Sequence, residues 1–307
     1  MRYLLLGSLV LAVVAPKPLP RTADGRPDLQ GMWTNDTFTP LERPKGFEDK
    51  AFFTEAEEAA FQQQVRDDLR ALLGEDNQKT TGDVGYTEFG KFLPDRRTSL
   101  IVDPVHGKIP PLVPAARRRL GPSGRPKADG PEDFDASARC LSWPSPPMLP
   151  PPNNTQVQVV QTHDYVMILG EVFGEARVVP LDGRPHLPPA VRRWKGDARG
   201  RWEGDTLVVD STNFRHKGAP HLLDRMKDSD DSLHVIERFT LADADTLVYR
   251  FTIDDPTVYE RPWTAELPLV RTNRRMFEFA CHEGNYSLEN SLRGARAEER
   301  RKPDGLK

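Results

Sequence analysis

Thr246-Leu247-Val248-Tyr249-Arg250-Phe251-Thr252-Ile253 alternates for eight residues: Leu247, Tyr249, Phe251 and Ile253 take every second place, between Thr246, Val248, Arg250 and Thr252. A period of two puts the first set on one face of an extended chain and the second set on the other, so the stretch reads as a β-strand with one buried face. Four large apolar side chains on one face need a second layer of sheet, or a closed sheet, to cover them.

Neighbouring segments repeat the pattern. His234–Leu241 precedes this strand across Ala242-Asp243-Ala244-Asp245, and Thr206–Asp210 pairs with Trp202 around Glu203-Gly204-Asp205, where Gly204 supplies the turn. Gln156–Gln161 and Tyr165–Leu169 flank Thr162-His163-Asp164, and Ala176–Val179 forms another short strand. Trp263, Ala265, Leu267 and Leu269 alternate with Thr264 and Glu266; Pro268 cannot donate to a ladder and predicts an edge or a bulge. Met276–Cys281 reads as a last strand with Phe277, Phe279 and Cys281 on its buried face and His282 on the other. Seven or more short strands joined by turns predict a mainly β fold, an antiparallel barrel or sandwich.

The chain before residue 138 is different. MRYLLLGSLVLAVVA at 1–15 has a basic start and then an apolar run, the pattern of a signal peptide, too short to span a bilayer. Residues 16–137 read as an N-terminal extension. Thr54 and Glu57 form a capping box for a helix over 54–73, with Phe61, Val65, Leu69 and Leu72 on one stripe and Gly74 as its stop. Residues 97–112 suggest a hairpin turning at His106-Gly107, Arg117-Arg118-Arg119 a solvated helix end, and 121–137 a long loop. Asp24-Gly25-Arg26-Pro27 and Asp182-Gly183-Arg184-Pro185 are two copies of one turn. The antiparallel domain spans 138–298, and 299–307 form a disordered tail.

Trp202-Glu203-Gly204-Asp205-Thr206-Leu207-Val208-Val209, followed by a hairpin ending Asp245-Thr246-Leu247-Val248-Tyr249, resembles the hairpins of lipocalin-like barrels over residues 155–282. The whole chain resembles a family of secreted proteins of environmental bacteria that share the blocks Arg201–Val209 and Cys281-His282-Glu283-Gly284-Asn285. That resemblance implies export and a lipocalin-like meander, without implying a reaction.

With 43 basic and 46 acidic residues, net charge −3, nothing points to nucleic acid or an anionic membrane as partner. A periplasmic or secreted protein with a small-molecule ligand fits better. Cys140 and Cys281 are the only cysteines; an oxidising compartment favours a disulfide between them, and two buried thiols are the alternative. His282-Glu283 pairs an imidazole that titrates near neutrality with a carboxylate, and His186 and Asp210 add two more acid–base groups. Arg184, Asn285, Tyr286 and Trp202 are candidate substrate-binding residues beside them. Of the aromatics, Tyr249, Phe251 and Trp263 suit either a ligand cavity or an ordinary core. No nucleotide-binding or compact metal-binding spacing occurs, so no cofactor is expected; a metal would require His186, His282 and Glu283 to converge from distant segments. His163, His216, His221 and His234 read as turn or surface residues. The functional expectation is an exported enzyme that works on a small organic molecule by proton transfer alone, as a lyase, isomerase or hydrolase. A binding or scaffold protein is the alternative.

Overall fold

The computed structural model describes residues 18–34, 37–81, 92–119, 129–134, 136–142, 146–149, 156–215 and 232–301. The expected signal peptide, His216, His221 and most of the C-terminal tail lie outside them.

Ten strands form one antiparallel sheet. They are β1 (Gly31–Thr34), β2 (Ile101–Asp103), β3 (Gln156–Gln161), β4 (Tyr165–Gly170), β5 (Ala176–Pro180), β6 (Asp197–Glu203), β7 (Thr206–Thr212), β8 (His234–Leu241), β9 (Thr246–Asp254) and β10 (Trp263–Arg271). Nine follow the order β5-β4-β3-β1-β10-β9-β8-β7-β6, and β2 pairs beside β1 on β10. The path curls into a nearly closed barrel. β5 and β6 meet at its seam without a ladder: a Cβ on Gly200 of β6 would lie 2.5 Å from Leu181 and 2.8 Å from Val179. Of the two expected architectures, the barrel is the one formed.

Alternation sets the inside. Leu247, Tyr249, Phe251 and Ile253 of β9 are all fully buried, and Phe251 stands edge-on to Trp263 of β10 at 5.7 Å. Val157 and Val159, Val166 and Ile168, Leu207 and Val209, and Val235 and Phe239 supply the same face from the other strands. These aromatics therefore pack a core. The predicted spans of β3 and β8 match residue for residue, and β9 runs one residue further.

The barrel interior also holds charge. Both guanidinium nitrogens Nη1 and Nη2 of Arg177 on β5 bond the Glu237 carboxylate on β8, one of them at 2.9 Å, although Glu237 is fully buried. The Tyr249 hydroxyl donates to Glu237 at 2.8 Å and accepts the Met148 amide at 2.9 Å.

Four local expectations need correction. Helix α1 runs over Glu55–Thr81, so Gly74 lies within it; a lone glycine costs only ~1 kcal/mol in a helix interior and does not by itself stop one. Its capping box is present: the Glu57 amide donates to Thr54 Oγ1 at 3.3 Å, and the Thr54 amide donates to Glu57 Oε2 at 2.8 Å. Phe61 and Val65 pack on a satellite cluster of Phe38, Phe53 and Phe92. Residues 97–112 turn at Pro104–Gly107 but do not form a hairpin. β2 pairs with β10, and Leu112 bridges Tyr259 instead. Met276–Cys281 is not a strand, and Phe277 is 72% exposed, so alternation was read there into a segment that has no ladder partner. Pro268 lies in a strand paired on both sides, opposite Val248, so the edge is not found, whereas the strand does carry a register shift between Thr264 and Ala265 in its ladder with β2. The Glu266 amide donates outward to Leu100, so the nitrogen of Pro268, two residues on, faces the interval between β2 and β1. Its missing N–H costs no ladder bond there.

Helix α2 (Pro114–Arg119) carries Arg117, which is exposed and 3.8 Å from Glu260. The N-terminal segment does more than extend the domain. β1 is inserted between β3 and β10, and the first Asp-Gly-Arg-Pro turn sits against the β6–β7 hairpin. There Arg21 makes two bonds to Asp205 (2.8 and 3.0 Å), and the Arg26 guanidinium lies 5.7 Å from the Trp202 ring. Trp202 is thus engaged by the chain's own arginine.

Candidate functional site

Register places the polar groups. Ala198 pairs with Ser211 and Gly200 with Val209, all on the interior side, so Asp197 and Arg199 of β6 and Asp210 of β7 belong to the outer face. His234 pairs with Asp254 while its neighbour Val235 is interior, so His234 of β8 is outward as well. The connection from β5 to β6 then crosses this face and delivers His186.

That connection is fastened at several points. Gly183 takes φ +72° in the second Asp-Gly-Arg-Pro turn, where Arg184 is ion-paired with Asp182. The Leu187 amide donates to Asp197 Oδ2 at 2.9 Å, and Asn213 Nδ2 donates to the Leu187 carbonyl at 2.8 Å. Arg193 and Phe214 form a bridge, and Gly196 at φ +69° turns the chain into β6.

The outcome is a chain of four hydrogen-bonded side chains. His186 Nδ1 is 3.0 Å from Asp197 Oδ2, and His186 Nε2 is 3.1 Å from Asp210 Oδ1. The same Asp210 oxygen is 2.8 Å from His234 Nε2. Asp197 is fully buried and also ion-paired to Arg199 at 2.9 Å, whereas His186, Asp210 and His234 keep 30%, 25% and 33% of their side-chain surface. The chain therefore runs from a buried anchor to a solvent-facing end. Nδ1 of His234 has no partner among the described residues.

Electrostatics follow from the geometry. The hydrogen bond and charge of Asp210 raise the pKa of His234 above its ordinary 6.5 against the effect of burial. Partial burial opposes the charge on Asp210, but the bonds from His234 and His186 prevail and hold its pKa below 3.8. His234 thus contributes stability fully below pH 6.5 and loses it as pH rises through its raised value. Asp210 contributes above pH 3.8 and loses its share as pH falls through its lowered value. The pair supports the fold best in the window between. Titrated by NMR, the His234 ring should show a midpoint above 6.5, and Asp210→Asn should lower it. An unchanged midpoint in that variant would show that the charge pairing is not what sets it.

The remaining expected site residues lie elsewhere. His282 and Glu283 line a groove of about 310 Å³ with Cys140, Cys281, Phe173, Glu175, Glu278 and Phe279. Phe173 and Phe279 stack at 5.1 Å across it. Glu175 bonds Lys195 at 2.8 Å and Ser142 at 3.1 Å, and burial lowers the pKa of that lysine although Glu175 opposes the effect. Cys140 and Cys281 form the disulfide. Asn285 serves the local fold, donating to the Ala138 carbonyl at 3.1 Å and accepting from Ser287 at the start of helix α3 (Ser287–Arg301). Tyr286 is 67% exposed.

The structure thus brings together His186 and Asp210, and no contact among the described residues joins them to His282 or Glu283. Among the described residues no group of three or more His, Cys, Asp or Glu is arranged to hold a metal ion, so the distant set His186, His282 and Glu283 is not assembled. Two members of the chain escaped sequence reasoning. His234 was read as a surface residue, although the alternation that buries Val235 and Phe239 already put it on the face of Asp210. Asp197 carried no signal, because its partners arrive from a loop.

Comparison of the chain with protein-family models, with curated proteins and with solved structures finds no match.

Proposed function

We propose that the protein is an exported enzyme that transforms a small organic molecule by proton transfer, with His234 and Asp210 as the acid–base pair and His186, braced by Asp197, as the group that positions Asp210. One observation carries this reading: a single carboxylate oxygen is shared by two imidazoles, one of which is held at its other nitrogen by a buried carboxylate. A base oriented by a third group is the arrangement proton-transfer catalysis requires. Asp210 favours the charged His234, whose Nδ1–H has no partner among the described residues and suits donation to a carbonyl or leaving-group oxygen. Support for export comes from the disulfide, which persists in oxidising compartments. No helix among the described residues is long and apolar enough to cross a membrane.

The groove beside the disulfide favours a second reading, a small-molecule-binding protein, through its stacked phenylalanines and the adjacent Glu278 and Glu283.

The two readings separate in one comparison of wild type with His234→Ala. Small carbonyl compounds are followed in D2O by proton NMR for exchange or isomerisation, and small esters and lactones by titration of released acid. Turnover of at least one compound, reduced about 10²–10⁴-fold in His234→Ala, is the expected result. Equal rates in the two proteins on every compound would sink the enzyme assignment.

A further inference from the structure

The C-terminal segment is held in an unusual way. Residues 272–286 leave β10 as a strap, continue into α3, and none of the described residues from 272 to 301 is buried. The strap nonetheless covers something that is. Glu171, at the β4–β5 turn, is only 2% exposed; its Oε1 accepts the Phe277 amide at 2.8 Å, and its Oε2 has no partner among the described residues. Contacts that fasten the strap include this bond, the Thr272 amide to the Met32 carbonyl at 3.0 Å, the Phe173–Phe279 stack, the Asn285–Ala138 bond and the disulfide, and Arg296 of α3 donates to the Asp129 carbonyl at 3.1 Å. An element with no fully buried residue leans heavily on its covalent tie.

The tie is accessible. Both cysteines line the 310 Å³ groove; Cys140 is 8% exposed, and Cys281 is more open. Cys140 has φ +54°, a left-handed conformation that a residue with a Cβ adopts at a cost. Asn285 Nδ2 lies 3.0 Å from Cys140 Sγ, placed to donate to a thiolate there.

We infer that the Cys140–Cys281 disulfide is a reducible latch, and that thiol exchange at Cys281 releases the strap from Glu171 while the barrel stays folded. A thiolate from a low-molecular-weight thiol or a dithiol protein attacks Cys281 Sγ and forms a mixed disulfide there. The Cys140–Cys281 bond breaks, and Cys140 leaves as a thiolate that accepts from Asn285. A second thiol then displaces Cys281 from the mixed disulfide. Two external thiols are oxidised to one disulfide, and the protein gains two electrons and two protons as two cysteine thiols. The strap that swings free carries Phe277, Glu278 and Phe279, so reduction dismantles one wall of the groove and opens Glu171 to solvent.

Hydrogen exchange read by mass spectrometry on the full chain, oxidised and after reduction with a phosphine, tests the latch. Peptides covering 272–286 are expected to exchange at least about tenfold faster once reduced, while β8–β10 remain protected on the minute scale. Asn285→Ala is expected to slow reduction by glutathione several-fold, whereas a purely structural role through the Ala138 bond would loosen the strap and speed it. Unchanged protection of the strap after reduction would overturn the proposal, because non-covalent contacts would then suffice. Loss of protection in β8–β10 together with the strap would overturn it too, since the bond would then staple the whole fold. Because the oxidised wild-type protein is reduced after folding, the test does not depend on a cysteine variant that folds.

Discussion

Arg177→Met should lower the free energy of unfolding by about 3–5 kcal/mol, read as a fall in the urea midpoint with an unchanged slope. The cause lies in what remains. Glu237 is fully buried on β8, and without the guanidinium its carboxylate would keep only the Tyr249 hydroxyl as a hydrogen-bond partner among the described residues, with Lys195 as the remaining nearby charge. A buried carboxylate that loses its paired charge is costly in a low-dielectric interior. The double variant Arg177→Met, Glu237→Leu should recover most of the loss, because replacing both partners of a buried pair by apolar residues of similar size is often neutral. A double variant as unstable as the single one would show that the pair is needed for packing rather than for charge balance.

Gly196→Ala should cost about 2–5 kcal/mol and disturb the proposed site together with the fold. Its φ of +69° is left-handed, which costs a residue with a Cβ about 1–2 kcal/mol. A Cβ there would also meet the Thr212 carbonyl oxygen at 2.7 Å and the Phe214 ring at 2.8 Å, and overpacking adds about 1–3 kcal/mol. The carbonyl is backbone and cannot swing aside. Relief requires the chain to move at the entry to β6, next to Asp197, which orients His186. The ring signals of His186 and His234 in an NMR spectrum should therefore shift in Gly196→Ala. In Gly204→Ala, where a Cβ meets nothing within 4 Å, they should stay in place. Unmoved signals in Gly196→Ala would disconnect this turn from the site.

Strand pairing was largely legible in the sequence because one face of each strand is buried. Leu247, Tyr249, Phe251 and Ile253 cannot slip by one residue without facing solvent, so period and register carry the same information. The failures have a common cause. At Phe277 and Phe279 the alternation is present without a partner strand, and a period of two does not announce whether a ladder exists. At Gly74 a helix-stopping residue was outweighed by its surroundings. In the site, His186 and Asp210 were visible as residue types, but grouping them with His282 depended on loops, whose paths are set by bonds between side chains and backbone, such as the Leu187 amide to Asp197 and Asn213 Nδ2 to the Leu187 carbonyl, rather than by any periodic pattern. His234 was legible too, since the burial of Val235 puts the residue before it on the opposite face of β8.

The insertion of β1 between β3 and β10 bears on how the molecule comes into being. Trp33 pairs with both Val157 and Arg271, so the first strand of the sheet in chain order waits for the last before its ladder is complete. Contacts so distant along the chain repay their loop-closure entropy late, which slows folding. A polypeptide emerging in order can build the hairpins β6–β7 and β8–β9 early, but it cannot close the circle until residue 271 has appeared. Such a topology delays completion of the native state and keeps the nascent chain open for longer.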